Sequence, residues 1–147
     1  MKIVVQRVVR AKVVKVDSGE VVGKIGKGLF VLVGFKKGDT EEMLNTLSEK
    51  LSKLRAMPDA SDKMNLSITD THESILVVSQ FTLYADTKGG NRPSFIEAEE
   101  PGKARILYDL FVAKLRERSI KVETGSFGDY MEIETILDGP VTITYEV

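Results

Sequence analysis

The segment Ile75-Leu76-Val77-Val78-Ser79-Gln80-Phe81-Thr82-Leu83-Tyr84 opens as an apolar strand and then sets Ser79, Gln80 and Thr82 where a buried strand stays apolar. A buried hydroxyl or amide without a partner costs about 1–3 kcal/mol, so these groups need hydrogen-bond partners or a ligand. Side chains alternate along a strand, which puts Ser79 with Val77 and Phe81 on one face and Gln80 and Thr82 with Val78 on the other. Polar groups at the C-terminal end of a core strand suit a ligand pocket. The plainer alternative is that neighbouring backbone or water satisfies all three.

The rest of the inventory restricts the chemistry. His72 is the only histidine, lies between Thr71 and Glu73, and reads as a surface residue. The chain has no cysteine, so the common zinc ligand sets are missing and no metal is expected. A Ser-His-Asp relay would need His72 to reach Ser79, which nothing in the spacing favours. Gly23-Lys24-Ile25-Gly26-Lys27-Gly28 lacks the strand-to-helix context of a phosphate loop and reads as a hairpin turn. Catalysis here would rest on positioning, oriented donors, and a nucleophile or proton acceptor brought by the substrate.

The elements that must position these residues follow from periodicity. Ile3–Val9, Ala11–Val16, Glu20–Ile25 and Leu29–Phe35 read as four strands separated by Gly-containing turns. Within the first, Arg7 shares a face with Ile3, Val5 and Val9, and a charge on an apolar stripe requires a partner. Asp39 is the expected N-cap of a helix carrying Leu44, Leu47, Leu51 and Leu54, ended by Pro58. Residues 58–73 read as a polar loop, and residues 85–95 as a glycine-rich turn. Pro101 opens a second helix with Ala104, Leu107, Tyr108, Phe111 and Leu115 on its apolar face. Strands at 120–123, 130–136 and 141–147 complete the order β-β-β-β-α-β-α-β-β. The fold class is α+β: a strongly curved, mostly antiparallel sheet or barrel with two main helices.

A chain of 147 residues forms one domain, spanning 1–147, and buries roughly two thirds of its unfolded surface. The absence of cysteine, of an apolar leader and of any membrane-length apolar run leads to the expectation of a soluble cytoplasmic protein with no membrane partner. A net charge of −1 argues against strong nonspecific nucleic-acid binding. Charge is nevertheless uneven. Residues 1–37 hold nine cations against two acids, and residues 119–147 hold six acids against one lysine. That asymmetry suits self-association, a local phosphate contact, or two solvated faces of one sheet.

Ser79-Gln80-Phe81-Thr82-Leu83, Gly90-Asn91-Arg92-Pro93-Ser94-Phe95 and Asp138-Gly139-Pro140-Val141-Thr142, in that order and spacing, resemble the D-aminoacyl-tRNA deacylase family, also called D-tyrosyl-tRNA deacylases. Gln6-Arg7-Val8 and Lys63-Met64-Asn65-Leu66-Ser67 extend the resemblance over nearly the whole chain. It implies a cofactor-free homodimer that hydrolyses the ester joining a D-amino acid, or glycine, to the 3′-terminal adenosine of tRNA. It places Ser79, Gln80, Phe81 and Thr82 around that adenosine and aminoacyl group. Thr82 is a nucleophile in some accounts of the family. A threonine hydroxyl needs an activating base and none lies nearby in sequence, which favours the alternative, in which the tRNA 2′-hydroxyl assists while protein amides orient water and hold the oxyanion. The resemblance makes Gly139-Pro140 a cis peptide that enters the partner subunit's pocket, captures the substrate amino group with its carbonyls and excludes L side chains. It makes Arg7 the residue holding that loop.

Two positions depart from the family pattern: Leu137 stands where Asn is usual before Asp-Gly-Pro, and Asp129 where Ala is usual. The competing readings are a non-catalytic RNA-binding module, using the basic N-terminal third with Lys88, Arg92 and Phe95, and a small-molecule ester hydrolase or dimeric metabolite binder.

Overall fold

The computed structural model describes all 147 residues. Its main sheet is built around β1 (Lys2–Lys15), a single 14-residue strand where the sequence reads as two. β1 pairs antiparallel along one edge with β8 (Met131–Glu146). Its other edge is shared, with β3 (Gly28–Gly34) against residues 2–8 and β2 (Val21–Ile25) against residues 11–14. β6 (Ser74–Ser79) and β7 (Lys121–Thr124) extend the sheet in parallel from β3. The sheet is therefore mostly antiparallel, as expected, with parallel pairing only from β3 through β6 to β7. The sheet curls until β2 approaches the end of β7. A Cβ at Gly23 would collide with the Thr124 carbonyl, and one at Gly28 with the Ser74 carbonyl.

The burial of β1 changes phase where its ladder with β8 is irregular. Ile3 and Val5 join the larger core, while Val8, Ala11 and Val13 join a smaller one inside the curl. Val9 is thereby left exposed, so the expected stripe Ile3-Val5-Arg7-Val9 breaks at Arg7. The larger core packs β3 and β6 against α1 (Glu41–Ser52) and α3 (Pro101–Glu117). With Ile75 and Val77 on the helix side and Leu76 and Val78 on the other, β6 is covered on both faces, which is why it reads as a continuous apolar run. The buried Tyr108 hydroxyl of α3 donates to the Val77 carbonyl at 2.8 Å, and burial raises its pKa.

Several sequence expectations are corrected. Thr40, not Asp39, caps α1, its hydroxyl accepting from the Met43 amide. Asp39 is buried instead, taking the Met1 ammonium at 2.7 Å and the Lys36 amide at 2.8 Å. Residues 58–73 are ordered by a two-stranded ladder, β4 (Met57–Pro58) with β5 (Met64–Leu66), and by a one-turn helix, α2 (Ile68–Thr71). Ser67 and Asp70 form a capping box on α2, a one-turn helix added to the two main helices expected. The two expected C-terminal strands are one strand, β8, interrupted at Gly139-Pro140.

The charge asymmetry resolves into cross-strand pairing. Lys2–Glu146, Arg7–Asp138 and Lys12–Glu134 bridge β1 to β8 at 3.3, 2.9 and 3.0 Å, and Lys15 meets Asp129 at 3.0 Å. Four of the nine cations in residues 1–37 are thus paired within the protein. No helix is long and apolar enough to cross a membrane.

Candidate active site

β6 stops at Ser79, five residues before the end of the expected strand. The Gln80 amide donates to the Val33 carbonyl at 2.7 Å, and the chain then turns into a 3-10 helix over Phe81–Tyr84. Leu83 N–H donates to the Gln80 carbonyl and Ala85 N–H to the Thr82 carbonyl. The alternation expected for Gln80 and Thr82 therefore does not apply. The turn puts the polar side chains at a strand end open to solvent, and the Gln80 side-chain amide donates to the Thr82 hydroxyl.

Ser79, Gln80 and Phe81 line a cavity of about 790 Å³ together with Glu99, Tyr130 and Met131. Half-exposed Phe81 meets Phe95 edge-on, ring centroids 5.0 Å apart, at its rim. Glu99 has a side chain only 6% exposed, stands 2.8 Å from Lys103, and has its pKa lowered chiefly by that contact. Its place in the wall was not legible in the sequence, where it reads only as a residue before the Pro101 helix start. Asp129, the departure from the family pattern, also lines the cavity. Its pKa is lowered by a hydrogen bond from the Ser126 hydroxyl and by Lys15.

Thr82 lies beside this cavity but not in its wall, and no titratable base approaches it: its hydroxyl is met by an amide. His72 is exposed at the far end of β6, about 17 Å of strand away from Ser79, so no Ser–His relay forms. No group of three or more acidic or histidine side chains is arranged to hold a metal ion.

Arg7, Gly139 and Pro140 form a second, separate constellation. Gln6 pairs with Thr142 and Val8 with Leu137, so Arg7 alone faces the four residues Asp138–Val141. This bulge pushes Gly139 and Pro140 into solvent, with Gly139 at φ +129°, a conformation that favours glycine. The Gly139–Pro140 peptide is cis. The Arg7 Nε lies 2.9 Å from Asp138 Oδ2 without hydrogen-bond alignment, and Nη1 donates to the Ala56 carbonyl at 2.8 Å. Leu137, the other departure, is partly exposed on the same strand. None of Arg7, Gly139 and Pro140 lines this cavity.

Three comparisons place the chain among known proteins. The family model described as "D-Tyr-tRNA(Tyr) deacylase" matches residues 4–146. Proteins named D-aminoacyl-tRNA deacylase are similar end to end. That of Limosilactobacillus reuteri is 54% identical over 99% of both chains, and that of Thermotoga petrophila 51% identical over 97% of this chain and 95% of its own. Among solved structures, one titled "c-Myc DNA Unwinding Element Binding Protein" superposes with a TM-score of 0.92 at 40% identity, covering 100% of this chain and 99% of that one. A probable eukaryotic D-amino acid tRNA deacylase shares the fold, at 18% identity and a TM-score of 0.85 over 99% and 98% of the two chains. The match over nearly the whole chain settles the lineage: the chain belongs to the D-Tyr-tRNA(Tyr) deacylase family and is a hydrolase.

Proposed function

We propose that the protein cleaves the ester between a D-amino acid, or glycine, and the 3′-terminal adenosine of tRNA in the cytoplasm, leaving L-aminoacyl-tRNA intact. The observation that carries this reading is the cavity walled by Ser79, Gln80 and Phe81, large enough for an aminoacylated nucleoside, with no histidine in its wall and its carboxylates Glu99 and Asp129 held by Lys103 and by Ser126 and Lys15. In this reading the ribose 2′-hydroxyl of the substrate assists attack by water. The Gln80 N–H is already given to Val33, so the oxyanion falls to the amides that open the 3-10 turn, whose N–H groups have no carbonyl in their own turn.

The homodimer belongs to the same proposal. β8 carries exposed Ile133, Ile136 and Leu137, and Tyr130 before it is 82% exposed, apolar groups suited to contact with a second copy. Each subunit would insert its projecting Gly139-Pro140 turn into its partner's cavity. There the turn's carbonyls receive the substrate amino group and its bulk rejects an L side chain, a selectivity of exclusion that tolerates many D side chains.

The nucleic-acid-binding title of one structural neighbour supplies the runner-up, a binder without ester chemistry. Paired turnover on D-tyrosyl- and L-tyrosyl-tRNA decides the matter. Rapid ester loss from the D form alone is the expected result. Binding with no ester loss from either substrate would establish the binder instead.

A further inference from the structure

Four of the nine cations in residues 1–37 are paired, and several cations near the cavity are not. Lys37, Lys88 and Arg92 have no carboxylate within ion-pair distance. All three are exposed. Lys37 follows Phe35 of the cavity wall by two residues, its amide donating to the Glu97 carbonyl at 3.0 Å beside the Lys36–Ala98 bridge. Its charge is near enough to help lower the pKa of Glu99 inside the cavity.

Lys88 and Arg92 lie on the loop at 87–93, which is closed by paired Asp86–Ser94 hydrogen bonds of 2.8 and 2.9 Å and contains no acid. The loop leads into Phe95, which packs on Phe81 at the rim. Of the nearby acids, Glu99 faces Lys103 and Asp86 accepts from the Lys88 amide, while Glu97 and Glu100 are exposed and form no ion pair with the three cations.

Unmatched cations beside exposed aromatic rings are how proteins hold single-stranded nucleic acid, with phosphates on the cations and bases against the rings. We infer that Lys37, Lys88 and Arg92 form a phosphate-binding rim that receives the single-stranded 3′ end of the RNA as its terminal nucleoside enters the cavity. This rests on the deacylase reading and adds to it the group that separates a tRNA from a lone aminoacyl nucleoside.

The test compares two substrates with the same ester: D-tyrosyl-tRNA and D-tyrosyl-adenosine, which has no phosphate. Lys37→Ala/Lys88→Ala/Arg92→Ala should lower kcat/KM on the tRNA at least tenfold and leave the adenosine ester within twofold. The log–log dependence of kcat/KM on salt should become shallower by about 2, the expectation for three single-strand phosphate contacts. Lys50→Ala/Lys63→Ala/Lys121→Ala makes the same change in net charge elsewhere and should leave both substrates unaffected. Equal losses on both substrates, no loss on either, or an equal effect of the control variant overturns the inference. A wild-type protein that cleaves neither substrate removes the deacylase reading itself, and the inference with it.

Discussion

Arg7 Nε stands 2.9 Å from Asp138 Oδ2, tying the one β1 residue that faces the β8 bulge to the first residue of that bulge. Because the Arg7 side chain is 11% exposed and also donates to Ala56, the contact fixes where Gly139 and Pro140 project. Arg7→Ala should therefore reduce the ratio of D- to L-tyrosyl-tRNA turnover at least tenfold. The accompanying stability loss should be only about 1–2 kcal/mol, since Asp138 is half in water. Unchanged discrimination would remove Arg7 from the filter.

Thr82 meets an amide rather than a base. Thr82→Ala should keep kcat within about fivefold of wild type, whereas a D-aminoacyl-tRNA ending in 2′-deoxyadenosine should lose most turnover, about 100-fold or more. Single-turnover rates on the two substrates check this. Full activity on the deoxy end would transfer the chemistry from the substrate to the protein.

Glu73 has a buried carboxylate oxygen without a hydrogen-bond partner, and burial raises its pKa against the opposing pull of Lys27 and Arg7. The folded protein then holds the proton over a pH range where the unfolded chain has released it. Stability should fall as pH rises from the ordinary glutamate range through the raised value. Glu73→Gln should gain of order 1 kcal/mol at pH 7, about 2–4 °C in Tm, and nothing near pH 4. Thermal melts at both pH values decide it, and an equal shift at both refutes the titration.

Gly28 has φ +152° and no room for a Cβ against the Ser74 carbonyl, at the point where β3 and β6 begin their parallel ladder. Gly28→Ala should cost about 2–4 kcal/mol, read by denaturant unfolding. The cavity lies at the other end of β6, so kcat at low temperature should change little.

The helices were legible because their apolar residues recur at helical spacing: Leu44, Leu47 and Leu51 on α1, and Leu107, Phe111 and Leu115 on α3, all buried as read. The short pieces within 57–71 escaped because two- and three-residue strands have no periodicity to detect. Asp39 was misread because a carboxylate before a helix has the pattern of a cap. Only the approach of the Met1 ammonium from the chain's far start gave it a different partner.

Residue identity alone determined the absence of cysteine and of a second histidine, the apolar strand leading to Ser79, and the motifs that mark the family. Those are local properties, carried by neighbours along the chain. What the tertiary structure decided is that the strand ends at Ser79, that Gln80 spends its amide on Val33, and that Glu99 joins the wall. It also decided that Lys2, Arg7 and Lys12 pair across to β8 and Lys15 with Asp129, while Lys37, Lys88 and Arg92 remain unmatched. These depend on contacts between residues dozens of positions apart, which form only when the curled sheet brings its edges together, and no spacing within one segment encodes them.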